Sequence, residues 1–196
     1  MSQNNKNGIK TFYKHCKPHC LNGHIINPDG TQQWYQNNLL HRLDGPAIIY
    51  SDGTELWYQN DKLHRLDGPA VIYSNCTREW YQNNLLHRLD GPAIVYPDGT
   101  EIWYQYGKHH RLDGPAVVYP DGTVMWYKNG DLHRLDGPAV TRTQTQYRNF
   151  NMYCTEEWYE NGKLHRLDGP AVIWSNNYKQ WFKNGIEIHV NSNIAK

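Results

Sequence analysis

The polarity pattern along the chain is built from short apolar runs separated by turn residues. In PAIIYSDGTELWYQN, residues 46–60, a β-rich run is followed by Asp-Gly, then a second β-rich run, then an Asn-containing pair. Asp-Gly between two such runs signals a hairpin, because these residues tolerate the positive φ of a tight turn. The second turn keeps that property at Asn37-Asn38, Asn60-Asp61, Asn83-Asn84, Asn129-Gly130, Asn161-Gly162 and Asn184-Gly185, and loses its Asn only at Tyr106-Gly107. No segment has helical periodicity.

The pattern recurs. HRLDGPA stands unchanged at His41, His64, His87, His110, His133 and His165, so successive copies begin 23, 23, 23, 23 and 32 residues apart. A fixed period in this range denotes a repeat architecture. Full repeats fall at 41–63, 64–86, 87–109, 110–132 and 133–164, the last carrying nine extra residues. A degenerate repeat at 19–40 and another at 165–189 read as caps, as open stacks require. Residues 1–18 and 190–196 read as tails. The predicted fold is all-β: an elongated, twisted antiparallel β-meander of hairpins, two strands per repeat. At about 4.8 Å per strand, 12–14 strands would make a ribbon roughly 60 Å long. A parallel β-solenoid is the alternative, and the tight turns argue against it.

On the second strand of each repeat, Trp34, Trp57, Trp80, Trp103, Trp126, Trp158 and Trp181 should form one aromatic row. Tyr35, Tyr58, Tyr81, Tyr104, Tyr127, Tyr159 and Phe182 should form another. One reading is that both rows pack the sheet. The other is that one row is partly exposed as a docking strip, since exposed aromatics mark interaction surfaces.

HRLDGPA contains a histidine, an arginine and an aspartate, the residue types of an active site. Catalysis, however, needs one constellation with a pocket, and six equal copies describe a surface. The structural reading is a turn: Gly45 for a tight bend, Pro46 for a strand start, Asp44 as cap. Arg42 would pair with an Asp of its own or the neighbouring repeat, and His41 would bond a backbone carbonyl. The candidate interaction residues are therefore Trp57, Trp80, Trp103, Trp126, Arg65, Arg88 and Arg111. To these the insertion adds Arg142, Tyr147, Arg148 and Phe150, because loops on a rigid scaffold carry specificity. No catalytic residue is assigned.

Charge and composition narrow the picture. Twenty basic and 19 acidic residues give a net charge of +1, so no global field favours nucleic acid or an anionic membrane. No apolar run approaches the roughly 20 residues of a membrane helix. The polar N-terminus and four irregularly spaced cysteines predict a soluble, intracellular chain in a reducing compartment. Cys16, His19 and Cys20 are the candidate zinc ligands, but Cys-x3-Cys has no matching pair at finger distance. The preferred reading is no metal and no cofactor.

The stretch DGPAVVYPDGTVMWYKNGDLH at 113–133 resembles a MORN repeat, whose units contain a Tyr-Pro-Asp-Gly-type hairpin, an aromatic and then Asn-Gly. The HRLDGPA…WYxNG form is similar to repeat proteins encoded by giant DNA viruses and some bacteriophages. The resemblance covers roughly residues 19–189. It departs from the family where the usual Tyr-x-Gly-x-Trp is replaced by Trp-Tyr, as at Trp103-Tyr104. It implies an elongated antiparallel sheet acting as a non-enzymatic scaffold for a protein partner or for self-association. The alternative function is a protein that sequesters a small anionic ligand through the repeated His, Arg and aromatic side chains.

Overall fold

A computed structural model describes residues 3–4, 10–11, 22–143 and 154–189. Among these there is no helix, so none is long and apolar enough to cross a membrane. The chain divides into two compact units, residues 1–97 and 98–196. Each is an antiparallel meander of eight strands. In the first, Asn22–Ile26, Gln32–Gln36, Ile48–Ile49, Glu55–Leu56, Val71–Ile72, Arg78–Glu79 and Ile94–Val95 pair in sequence order, and Leu39–Leu40 folds back on Gln32–Gln36. In the second, the order runs Glu101–Ile102, Val117–Val118, Val124–Met125, Val140–Thr141, Cys154–Glu157, Val172–Trp174, Lys179–Lys183 and Ile186–Ile188. The described pairings are antiparallel throughout, which excludes the parallel solenoid.

One detail departs from two strands per repeat. The second strand breaks at its tryptophan. Glu55–Leu56 lies in the meander, whereas Tyr58–Gln59 pairs with Lys62–Leu63 in a separate hairpin. Trp57 makes the switch, donating its N–H to Ala70 of the next repeat while its carbonyl accepts the His64 N–H. The same small hairpin forms at Tyr81–Gln82/Leu85–Leu86, Tyr104–Gln105/Lys108–His109, Tyr127–Lys128/Asp131–Leu132 and Tyr159–Glu160/Lys163–Leu164.

The two turns differ in kind. At the Asn turn both central residues are left-handed, for example Asn60 at φ 50° and Asp61 at φ 60°, the signature of a two-residue type I′ turn. At Asp-Gly only the glycine is left-handed, as at Gly53 with φ 86°, and its N–H donates to Tyr50. This is the longer three-residue loop ending in a glycine. Asp52 serves it from its side chain, accepting the Thr54 N–H at 2.8 Å. Cys76 and Asn177 occupy the glycine position of two repeats and keep its positive φ.

The core is thin and periodic. It consists of the Ala and the following Val or Ile of each motif copy, Ala47 and Ile48 through Ala171 and Val172, together with the turn threonines Thr31, Thr54, Thr77, Thr100 and Thr123. Small residues suit the close approach of backbones at each strand start. Larger aromatics lie over them half-buried.

Candidate functional site

The HRLDGP loop is where each repeat concentrates its polar chemistry. The arginine lies flat on the tryptophan eight residues earlier. Its guanidinium carbon is 4.0 to 4.2 Å from the ring centroid in all six copies: Arg42 on Trp34, Arg65 on Trp57, Arg88 on Trp80, Arg111 on Trp103, Arg134 on Trp126 and Arg166 on Trp158. The quadrupole of the indole face attracts the cation, most strongly when both are partly desolvated. The small hairpin brings them together, since it folds the chain back immediately after the tryptophan.

The opposite face of the guanidinium meets the motif glycine. A Cβ on Gly45, Gly68, Gly91, Gly114, Gly137 or Gly169 would stand only 2.7 to 2.9 Å from the arginine Cζ. None of these glycines is left-handed. Their purpose is therefore room for the cation, not the conformational freedom expected from sequence. Each arginine Nε donates to the aspartate two residues on, Arg42 to Asp44 at 2.9 Å and Arg65 to Asp67 at 3.0 Å. Its Nη1 donates to the proline carbonyl four residues on, at 3.2 to 3.3 Å. The Arg–Asp pairs thus close within one loop and do not bridge neighbouring repeats. The hydrogen bond from Arg42 holds the Asp44 carboxyl below its usual value, as the corresponding arginines do for Asp67, Asp90, Asp113, Asp136 and Asp168.

Backbone bonds tie neighbouring repeats instead, while each histidine ties its loop to the Asn turn of the same repeat. The Nδ1 of His41, His64, His110, His133 and His165 accepts the N–H of Asn60, Asn83, Asn129, Asn161 and Asn184 in the following turn, at 3.1 to 3.3 Å. The carbonyl partner expected for His41 is replaced by this N–H. The second turn residue adds a bond from its own N–H, Asp61 to Leu40 and Gly162 to Leu132 among others. The arginine N–H adds another, as from Arg42 to Tyr58.

One residue of the loop is left outside this network. Leu43, Leu66, Leu89, Leu112, Leu135 and Leu167 are 73 to 76% exposed, while both aromatic rows are half-buried. Between successive loops lie open grooves, of 620 Å³ and 570 Å³ in the first unit and 590 Å³ in the second. One wall of the first groove is Leu43, Asp44 and Pro46, and the other is Trp57, Gln59 and His64.

The sequence-predicted residues are distributed accordingly. Trp57, Trp80, Trp103 and Trp126 come together with Arg65, Arg88, Arg111 and Arg134 as the stacks, so the tryptophans line groove walls and do not present bare rings. Arg142 is elsewhere: it pairs with Glu157 on the adjacent strand, and Glu157 also accepts the Tyr159 hydroxyl at 2.8 Å. Nearby Cys154 has its thiol pushed up to about 11, by burial first and then by Glu157, so it is a poor nucleophile. It lies at the start of the strand Cys154–Glu157. Tyr147, Arg148 and Phe150, like Cys16, His19 and Cys20, lie outside the described residues. Among the described residues no three His, Cys, Asp or Glu side chains converge as metal ligands would.

Sequence reasoning missed the leucines. A leucine reads as core, yet here it is locked between Arg-Asp pairing and Gly-Pro, with no strand partner. That flanking sequence is the signal that would have placed it outside.

No protein-family model matches the chain, and no curated protein matches it.

Proposed function

We propose that the chain is a non-enzymatic, MORN-like repeat scaffold that holds a protein partner, or a second copy of itself, along its motif loops. The observation that carries this reading is the set of six leucines, each about three-quarters exposed on a loop whose other side chains are fixed. A leucine held in water on a rigid loop loses roughly 1.5–3 kcal/mol that burial would recover, and rigid presentation lowers the entropy cost of docking. Six repetitions convert a modest contact into an extended one.

The alternative of a small anionic ligand gains little from the arginines. Each guanidinium lies over a tryptophan, is crowded by the motif glycine and shares its charge with an aspartate, which leaves little of it for a phosphate.

The test replaces Leu66, Leu89 and Leu135 by Ser together, then compares partner capture from the native source and light scattering with the parent chain. Loss of capture or self-association at unchanged thermal stability supports the reading. Equal capture by the variant, or a strict monomer with no partner, overturns it.

A further inference from the structure

Resting on that docking reading, the geometry points to the occupant: a proline-rich, basic segment of a partner in the polyproline II conformation. The first ground is pitch. Equivalent positions of adjacent repeats are two strands apart, as Leu56, Val71 and Glu79 are in register, so grooves recur about every 9.4–9.8 Å. A polyproline II helix advances about 9.3 Å per three-residue turn and presents the same face each time. A β-strand repeats its face about every 6.7 Å, and a helix that returns after seven residues advances about 10.5 Å. Only the first keeps step with the grooves.

The second ground is the chemistry of the walls. Leu43, Pro46 and Leu66 line the groove together with Trp57, one of whose faces carries Arg65, and such mixed apolar and aromatic walls grip prolines. Gln59 lines the same groove. Its amide can donate to the carbonyls that a polyproline II chain leaves without internal partners. The same wall recurs as Trp80, Gln82 and His87 in the next groove.

The third ground is charge. Asp44, Asp67 and Asp90 are 83 to 84% exposed at the groove rims, while the arginines paired with them are 23 to 24% exposed. A segment lying across the rims therefore meets carboxylates first, and a lysine or arginine at every third position complements them. In the second unit Glu160 takes the place of glutamine in one groove and strengthens that preference there, whereas Lys128 holds the equivalent position of the preceding repeat and opposes it.

The experiment titrates the full chain with a peptide of four Pro-Pro-Lys triplets, followed by tryptophan fluorescence and calorimetry. Two peptides of matched charge serve as comparisons: four Gly-Gly-Lys triplets, which are flexible, and a Pro-Lys alternation, which is stiff but out of step. The expected result is saturable binding at least tenfold tighter for Pro-Pro-Lys than for either comparison. Leu66→Ser with Leu89→Ser should weaken it at least tenfold with an unchanged melting temperature. Absence of saturable binding, equal binding of the three peptides, or indifference to the leucine substitutions overturns the inference. If the leucine variants lose a partner or self-association while no Pro-Pro-Lys binding occurs, the docking surface stands and its proposed occupant falls.

Discussion

Replacing Gly68 by alanine asks a single residue to share space with a cation. The new methyl would meet the Arg65 guanidinium at 2.9 Å, and the flexible arginine would yield by leaving Trp57. Lost with it are the stack, worth about 0.5–1 kcal/mol or more, and part of its hydrogen bonding to Asp67 and Pro69. Urea denaturation should show Gly68→Ala less stable by about 1–2 kcal/mol, with Arg65→Ala costing a similar amount. If Arg65→Ala is costly and Gly68→Ala is neutral, the glycine is not there to make room. Cys76 presents the opposite case. It holds φ 69° in a position occupied elsewhere by Gly53, Gly99 and Gly122, and a non-glycine residue is strained there. Cys76→Gly should stabilise the chain by a few tenths to about 1 kcal/mol, the gain being limited by the greater freedom of glycine when unfolded. A measured loss would show that the thiol contributes contacts outweighing the strain.

Among the small hairpins, one carries a titrating substitution. His109 stands where other repeats have Leu40, Leu63, Leu132 and Leu164. It is held between Tyr104 at 4.3 Å and Tyr127 at 4.8 Å. Burial lowers its pKa below the ordinary 6.5. The folded state therefore binds fewer protons than the unfolded one, so stability rises with pH across that window and falls as acid is added below about 6.5. His109→Leu should flatten the stability profile below about pH 6.5; an unchanged slope would place the acid sensitivity elsewhere. The motif aspartates act lower, because their depressed carboxyls contribute above about pH 4 and release that contribution on further acidification.

At this scale, too, the limits of the sequence become clear. Antiparallel hairpins and left-handed Asn turns were legible, because a 23-residue period and positive-φ residues leave few alternatives. The break at Trp57 was not, because it depends on which neighbour takes one N–H. The Arg–Trp stacks were hidden by where the repeat was cut: starting it at His41 puts Arg42 and Trp34 in different repeats, although a hairpin makes them neighbours. The leucines were overlooked because hydrophobicity argues for burial unless the flanking residues are read first.

Over the molecule as a whole, contacts within each unit are repetitive and run between neighbouring repeats, and such chains have stabilities close to a sum of local and nearest-neighbour terms. Gly68 and Gly137 lie in different units and meet different arginines. The double variant Gly68→Ala/Gly137→Ala should lose the sum of the two single losses within about 0.3–0.5 kcal/mol. A larger departure in chemical denaturation would reveal cooperation across the chain. The candidate site shares this additivity, since it is distributed over loops and no single substitution should abolish it.

The bond from the N–H of each second turn residue to the last carbonyl of the preceding repeat, as from Asn84 to Leu63, has one more consequence, which concerns ancestry. Because these backbone donors and acceptors keep the same spacing at Leu40, Leu63 and His109, excising residues 64–86 would join Leu63 to His87 and recreate the junction that was removed. A gene of this kind can lengthen or shorten by whole copies of 69 base pairs, 23 codons, without any compensating change elsewhere. Under the proposed docking function, reach along a partner becomes a quantity that recombination can adjust in steps, independently of the chemistry at each step.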